Sequence, residues 1–136
     1  MNAVDTNVLI YAHDPRDPVK QQTALSLLQG LADGALPWQV ACEFLSASQK
    51  LEPLGYGRAQ AWQDIGDLRR VWTTVLPGWD ILDRAEKLLA KYSLSYWDAM
   101  LLAASLEAGV TRMYSEDLAT YPRVNGLECV NPFQGP

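Results

Sequence analysis

Apolar residues change their spacing several times along the chain, and each change marks an element. Residues 2–5 (Asn-Ala-Val-Asp) predict a short opening strand. The run Val8-Leu9-Ile10-Tyr11-Ala12 either extends it or starts a short helix, which periodicity alone does not decide. Two prolines within His13–Pro18 predict a turn. Ala24, Leu27, Leu28 and Leu31 then recur at i, i+3, i+4 and i+7, which predicts an amphipathic helix ending by Gly34. Leu36-Pro37-Trp38-Gln39 reads as a connector or brief strand. Ala41, Phe44, Leu45 and Leu51 share the face of a helix that carries Glu43 near its start and that Pro53 stops.

Gly55-Tyr56-Gly57 predicts a turn into a helix through Ala59, Trp62, Ile65 and Arg69, followed by a strand over Trp72–Leu76 that ends at Pro77-Gly78. Ile81, Ala85, Leu88, Leu89 and Tyr92 mark another helix, whose opposite face bears Arg84, Lys87 and Lys91. Ser95 is placed to cap a helix with Asp98 in its first turn, apolar nearly all round, that Gly109 stops; this helix is expected to be central. Val110–Ser115 reads as a strand, Glu116–Tyr121 as a turn or short helix, and Leu127–Val130 as a last strand. Strands alternating with helices predict an α/β fold with a mostly parallel sheet.

Composition narrows the picture. With 136 residues, 49% hydrophobic and 20% charged, the chain is expected to form one folded domain over 1–136. No apolar run reaches the ~20 residues of a membrane span and no leader-like segment follows Met1, so a cytoplasmic protein with no membrane contact is expected. Cys42 and Cys129 lack any ligand-type spacing and read as reduced, buried thiols. A net charge of −5 is the wrong sign for gripping nucleic acid by bulk electrostatics.

The chemistry-bearing residues that remain are acids. The chain has no phosphate-binding glycine loop, no GxSxG and no HExxH, and its single histidine, His13, stands in a turn with no nucleophile at a recognisable spacing. Asp5 falls at the C-terminal end of the first strand, where open α/β sheets form their ligand crevice. Asp98 opens the most apolar helix, Glu43 lies on a largely apolar one, and Asp117 follows the strand that ends at Ser115. Each also has an ordinary structural reading as a cap, a turn former or a solvated acid. Brought together, four carboxylates would repel unless a hard divalent cation compensated them. Two such ions, +4 together, would bring the −5 to −1 and remove the objection to a phosphodiester substrate.

Four segments carry a resemblance: Val4-Asp5-Thr6-Asn7-Val8-Leu9-Ile10-Tyr11-Ala12, Glu43 in Cys-Glu-Phe-Leu, Tyr96-Trp97-Asp98-Ala99-Met100 and Tyr114-Ser115-Glu116-Asp117-Leu118. In this order they resemble the acidic motifs of PIN-domain ribonucleases, and in particular the VapC-type toxins of toxin–antitoxin pairs. Val130-Asn131-Pro132-Phe133 resembles that family's ending. The resemblance implies a three-layer α/β/α fold, a magnesium or manganese site and endoribonuclease activity leaving a 5′-phosphate and a 3′-hydroxyl. It implies Asp5, Glu43, Asp98 and Asp117 as catalytic metal ligands, with Thr6, Asn7 and Ser115 in support. It also implies an RNA substrate, a homodimer and a cognate antitoxin, docked near Gly55-Tyr56-Gly57. Ala119 and Thr120 stand where some members carry a further acid, which leaves Asp117 the matching acid and Glu116 its nearest substitute.

Arg84, Lys87 and Lys91, or Arg69-Arg70, are candidate RNA contacts, although solvated helix faces look the same. Of the five tryptophans most are expected in the core, with one or two marking a partner surface. A non-catalytic module of the same fold is the competing reading. A haloacid-dehalogenase-like phosphatase would need an aspartate where Asn7 stands.

Overall fold

The computed structural model describes residues 1–134; Gly135 and Pro136, the end of the expected unit, lie outside them. Six strands form one sheet: β1 (Asn2–Val4), β2 (Gly34–Pro37), β3 (Thr73–Val75), β4 (Arg112–Tyr114), β5 (Arg123–Val124) and β6 (Leu127–Val130). Their order is β3-β2-β1-β4-β6-β5, and every pairing is parallel except β5 with β6. Six helices connect them: α1 (Thr6–Tyr11), α2 (Pro18–Gly30), α3 (Trp38–Ala47), α4 (Arg58–Val71), α5 (Trp79–Lys91) and α6 (Tyr96–Glu107). Sequential crossovers from β1 to β3 run one way, and the β3-to-β4 crossover runs back past β1. Right-handed connections therefore put α1–α4 on one face and α5–α6 on the other, giving the expected α/β/α layers.

Local chemistry explains most element ends. Asp5 Oδ1 accepts from Thr6 N at 2.7 Å, so α1 begins at once and the Val8–Tyr11 run is helical, not a strand extension. α2 starts earlier than its leucine spacing suggested, because Asp17 caps it through Lys20 N and Pro18 occupies its first turn. α3 ends at Ala47, before Pro53; a 3₁₀ segment over Ser48–Leu54 carries the chain through that proline to Gly55, which adopts φ 101°. α6 is buried on nearly every side, as its composition predicted.

Three features depart from expectation. Trp72 alone among the five tryptophans is buried; Trp38, Trp62, Trp79 and Trp97 are exposed, Trp79 by 80%. On α4 the inward face is Ala61 and Ile65, so Trp62 turns outward. Cys129 is buried as expected, but Cys42 is exposed because α3 directs Val40 and Phe44 inward instead. Finally, Asn125 (φ 48°) and Gly126 (φ 86°) form a two-residue turn that pairs Val124 with Leu127 and adds the unanticipated strand β5.

Candidate metal centre

Asp5 sits where β1 ends and the sheet order reverses, between β2 and β4, which is the switch point where open α/β sheets leave a crevice. Its backbone N donates to Tyr114 O at 2.8 Å, and Ser115 N donates to Val130 O at 2.9 Å, so the ends of β1, β4 and β6 lie side by side. Asp5 is only 8% exposed. Oδ1 accepts from Thr6 N, and Oδ2 accepts from Ser115 Oγ at 2.8 Å. Ser115 Oγ in turn accepts from the backbone N of Asp117 and of Leu118, each at 3.1 Å.

The other acids arrive from both helical layers. Glu43 Oε2 accepts from Thr6 Oγ1 and Oε1 from Gln39 Nε2, both at 2.9 Å. The Gln39 amide also donates to Trp97 O at 3.0 Å, tying α3 to the start of α6 beside Asp98. Ser95 Oγ accepts from Asp98 N at 3.2 Å as the cap of α6. Asp117 is exposed, and its Oδ2 accepts from Asn7 Nδ2 at 3.2 Å.

Burial pushes the Asp5 carboxyl above its usual range, against the Ser115 and Thr6 hydrogen bonds that favour the anion, and nearby Glu43 and Asp98 push it further. Asp5 thus feels the charge of Glu43 and of Asp98, whereas Asp117 is joined to the site through Asn7 and Ser115. Among the described residues none of the four pairs with a lysine, arginine or histidine. Such an uncompensated all-oxygen set suits a hard divalent cation. Among the described residues no three such side chains are grouped to hold an ion between them directly. That still fits magnesium, which commonly takes one or two carboxylates and keeps several waters.

The raised Asp5 value makes a checkable prediction for metal-free protein. The folded state binds the proton more tightly than the unfolded chain, so unfolding free energy falls as pH rises from the ordinary carboxylate value to the raised one. Burial lowers the His13 value and gives the opposite slope near pH 6, so the comparison is with Asp5→Asn. Chemical denaturation in chelator is expected to show wild type gaining stability, relative to Asp5→Asn, as pH is lowered from 7 toward the ordinary carboxylate value; saturating manganese should remove that gain.

The sequence missed Gln39 and Lys20. Gln39 is four residues before Glu43, a spacing that puts both on one helix face. The Glu116 carboxylate, the nearest substitute acid, is engaged by Lys20 and Tyr11. The expected basic stripe is partly engaged, since Arg84 pairs with Glu107 at the far end of α6 from Asp98 and Lys91 donates to Asn125 at 3.2 Å. His13 does not stand free in its turn. It stacks on Tyr56 with ring centroids 4.2 Å apart and lies 3.6 Å from Asp64.

A mostly parallel sheet with helices on both faces and an aspartate at its switch point defines a three-layer α/β/α class. The PIN domain family model matches residues 3–126, and the chain belongs to that family. Its fold is that of the VapC toxins. A toxin–antitoxin complex from Klebsiella pneumoniae matches with TM-score 0.70 at 20% identity, over 97% of this chain and 98% of that one. VapC20 of Mycobacterium tuberculosis, a sarcin–ricin-loop-cleaving toxin, matches with TM-score 0.67 at 18% identity, over 86% and 90%. VapBC2 from Rickettsia felis, bound to a promoter DNA fragment, matches with TM-score 0.67 at 12% identity, over 96% and 97%. Comparison with curated proteins returns no match.

Proposed function

We propose that this protein is a divalent-metal-dependent endoribonuclease and the toxin of a toxin–antitoxin pair. The observation that carries the reading is a buried aspartate at the switch point of the sheet, Asp5, within reach of the charges of Glu43 and Asp98, with no cationic partner for any of the three among the described residues. Asp5 and Asp98 hold the principal magnesium or manganese ion, and Glu43 and Asp117 hold a second ion or orient its waters. A bound ion of this kind acidifies water and shields charge on phosphoryl oxygens. The chain's own residues do the positioning. Ser115 and Thr6 N fix the Asp5 carboxylate, Thr6 Oγ1 and Gln39 fix Glu43, and Asn7 fixes Asp117. No protein nucleophile is required.

An RNA substrate places the work in the cytoplasm, and no helix of the described residues is long and apolar enough to cross a membrane. An antitoxin and a second copy of the chain are the proposed partners. Exposed Trp38, Trp62, Leu76 and Trp97 line two apolar clefts, of about 380 and 350 Å³, on either side of α3; apolar surface of this kind favours protein partners. The toxin–antitoxin assemblies among the structural neighbours support the same reading.

The test is a calorimetric titration of the protein with manganese, followed by incubation with total RNA and analysis of the new ends. Saturable binding and cleavage leaving 5′-phosphates are expected. A folded protein that takes up no manganese would overturn the nuclease reading in favour of a non-catalytic module.

A further inference from the structure

Tyr11, Lys20, Glu116 and Phe133 meet where α1, α2, the turn after β4 and the C-terminal segment converge. Lys20 Nζ donates to Glu116 Oε2 at 2.9 Å and to the Tyr11 hydroxyl at 3.3 Å, and that hydroxyl donates to Glu116 Oε1 at 3.3 Å. The ammonium also lies 4.7 Å from the Tyr11 ring centroid and 5.5 Å from that of Phe133. The two rings meet edge to face at 4.9 Å. Phe133 is seated by Asn131, whose Oδ1 accepts from Phe133 N at 2.9 Å, so the Asn-Pro-Phe ending belongs to this cluster.

The cluster grips one turn. Glu116 stands between Ser115, which bonds Asp5, and Asp117, which bonds Asn7. On the inner side the turn is held by Ser115 Oγ and by Glu116 N donating to Asn7 Oδ1 at 3.4 Å. On the outer side it is held by the Glu116 carboxylate. Lys20 and Glu116 are 30% and 29% exposed, and the pair is reinforced by the Tyr11 hydroxyl, so it is better placed to hold geometry than an isolated surface pair.

We propose that Lys20 and Glu116 are positioning residues whose ion pair, covered by Tyr11 and Phe133, fixes the turn at 115–118 so that Asp117 is presented to the divalent cation or its waters. This rests on the metal-dependent reading given above. Partners that orient a metal ligand from outside typically carry about 10–100-fold in affinity or activity.

Manganese calorimetry and cleavage of a mixed-sequence oligoribonucleotide, on wild type, Lys20→Met, Glu116→Gln and Lys20→Arg, test it. Lys20→Met and Glu116→Gln are each expected to weaken manganese binding roughly 10-fold and to lower kcat by a similar factor, with KM within about twofold. Combining them should cost little more than either alone, and Lys20→Arg should recover most of the loss. Unfolding midpoints should stay within about 3 °C of wild type. Wild-type manganese binding and kcat in both neutral variants would overturn the proposal, as would losses that track a lowered midpoint. A wild-type protein that binds no manganese overturns the metal reading and this proposal together; binding in wild type with unchanged variants overturns this proposal alone.

Discussion

Asp98→Asn is expected to abolish RNA hydrolysis while leaving the fold as stable as before or more so. Removing the direct ligand proposed for the ion forfeits several kcal/mol of charge stabilisation at the transition state, and about 4 kcal/mol corresponds to roughly 1,000-fold in rate. Manganese affinity should fall in parallel. Stability should not, because the Asp98 side chain accepts no hydrogen bond among the described residues, and its helix-capping contact runs through its backbone N to Ser95. The neutral amide also relieves repulsion with Asp5. Calorimetry, a cleavage assay and thermal unfolding on the same preparation check all three expectations. Full cleavage by the variant would remove Asp98 from the proposed centre.

Gly34→Ala is the substitution expected to cost most in stability. Gly34 opens β2 beside β1 in the parallel sheet, and a Cβ there would fall inside the van der Waals envelope of Cε2, Cδ2 and Nε1 of the Trp72 indole. Trp72 is buried at the C-terminus of α4, so the ring has little room to retreat. Overpacking of this kind costs about 3 kcal/mol when the neighbour is rigid, which for this chain length lowers the unfolding midpoint by roughly 10 °C. The penalty should shrink in a Trp72→Leu background, and the double-mutant coupling measured by denaturant unfolding would confirm that the indole is the obstacle. An equal penalty in both backgrounds would place the strain elsewhere.

The tryptophans show how function and packing pull apart. Hydrophobicity assigns an indole to the interior, yet four of the five lie on the surface, and Trp38 and Trp97 line the cleft that reaches Glu43. An indole on an outward helical position has nowhere to go without turning its own helix, as Trp62 illustrates on α4 with Ala61 and Ile65 already facing in. Apolar surface is retained where another molecule removes it from water, which accords with the partners proposed here.

Much of the architecture is local and was therefore legible in the residues themselves. Helical periodicity, the Ser95 cap, the all-apolar α6 and the position of Asp5 at a strand end each depend on neighbours within a few residues. The Asn125-Gly126 turn is local in the same way, a two-residue hairpin signal between Val124 and Leu127. Other features depend on contacts that spacing cannot encode. The acids Asp5, Glu43 and Asp98 become neighbours only because the strand order reverses at β1 and delivers α3 and α6 to the same sheet edge. The Lys20–Glu116 pair joins residues 96 positions apart, and the Ser115–Asp5 bond joins residues 110 apart. The exposure of Cys42 followed from which face of α3 met the core. The sequence by itself determined which residue types stand at each element end, because caps and periodicity act over one or two turns. The tertiary structure decided which of those ends meet, because strand order and helix rotation are settled by packing across the whole sheet.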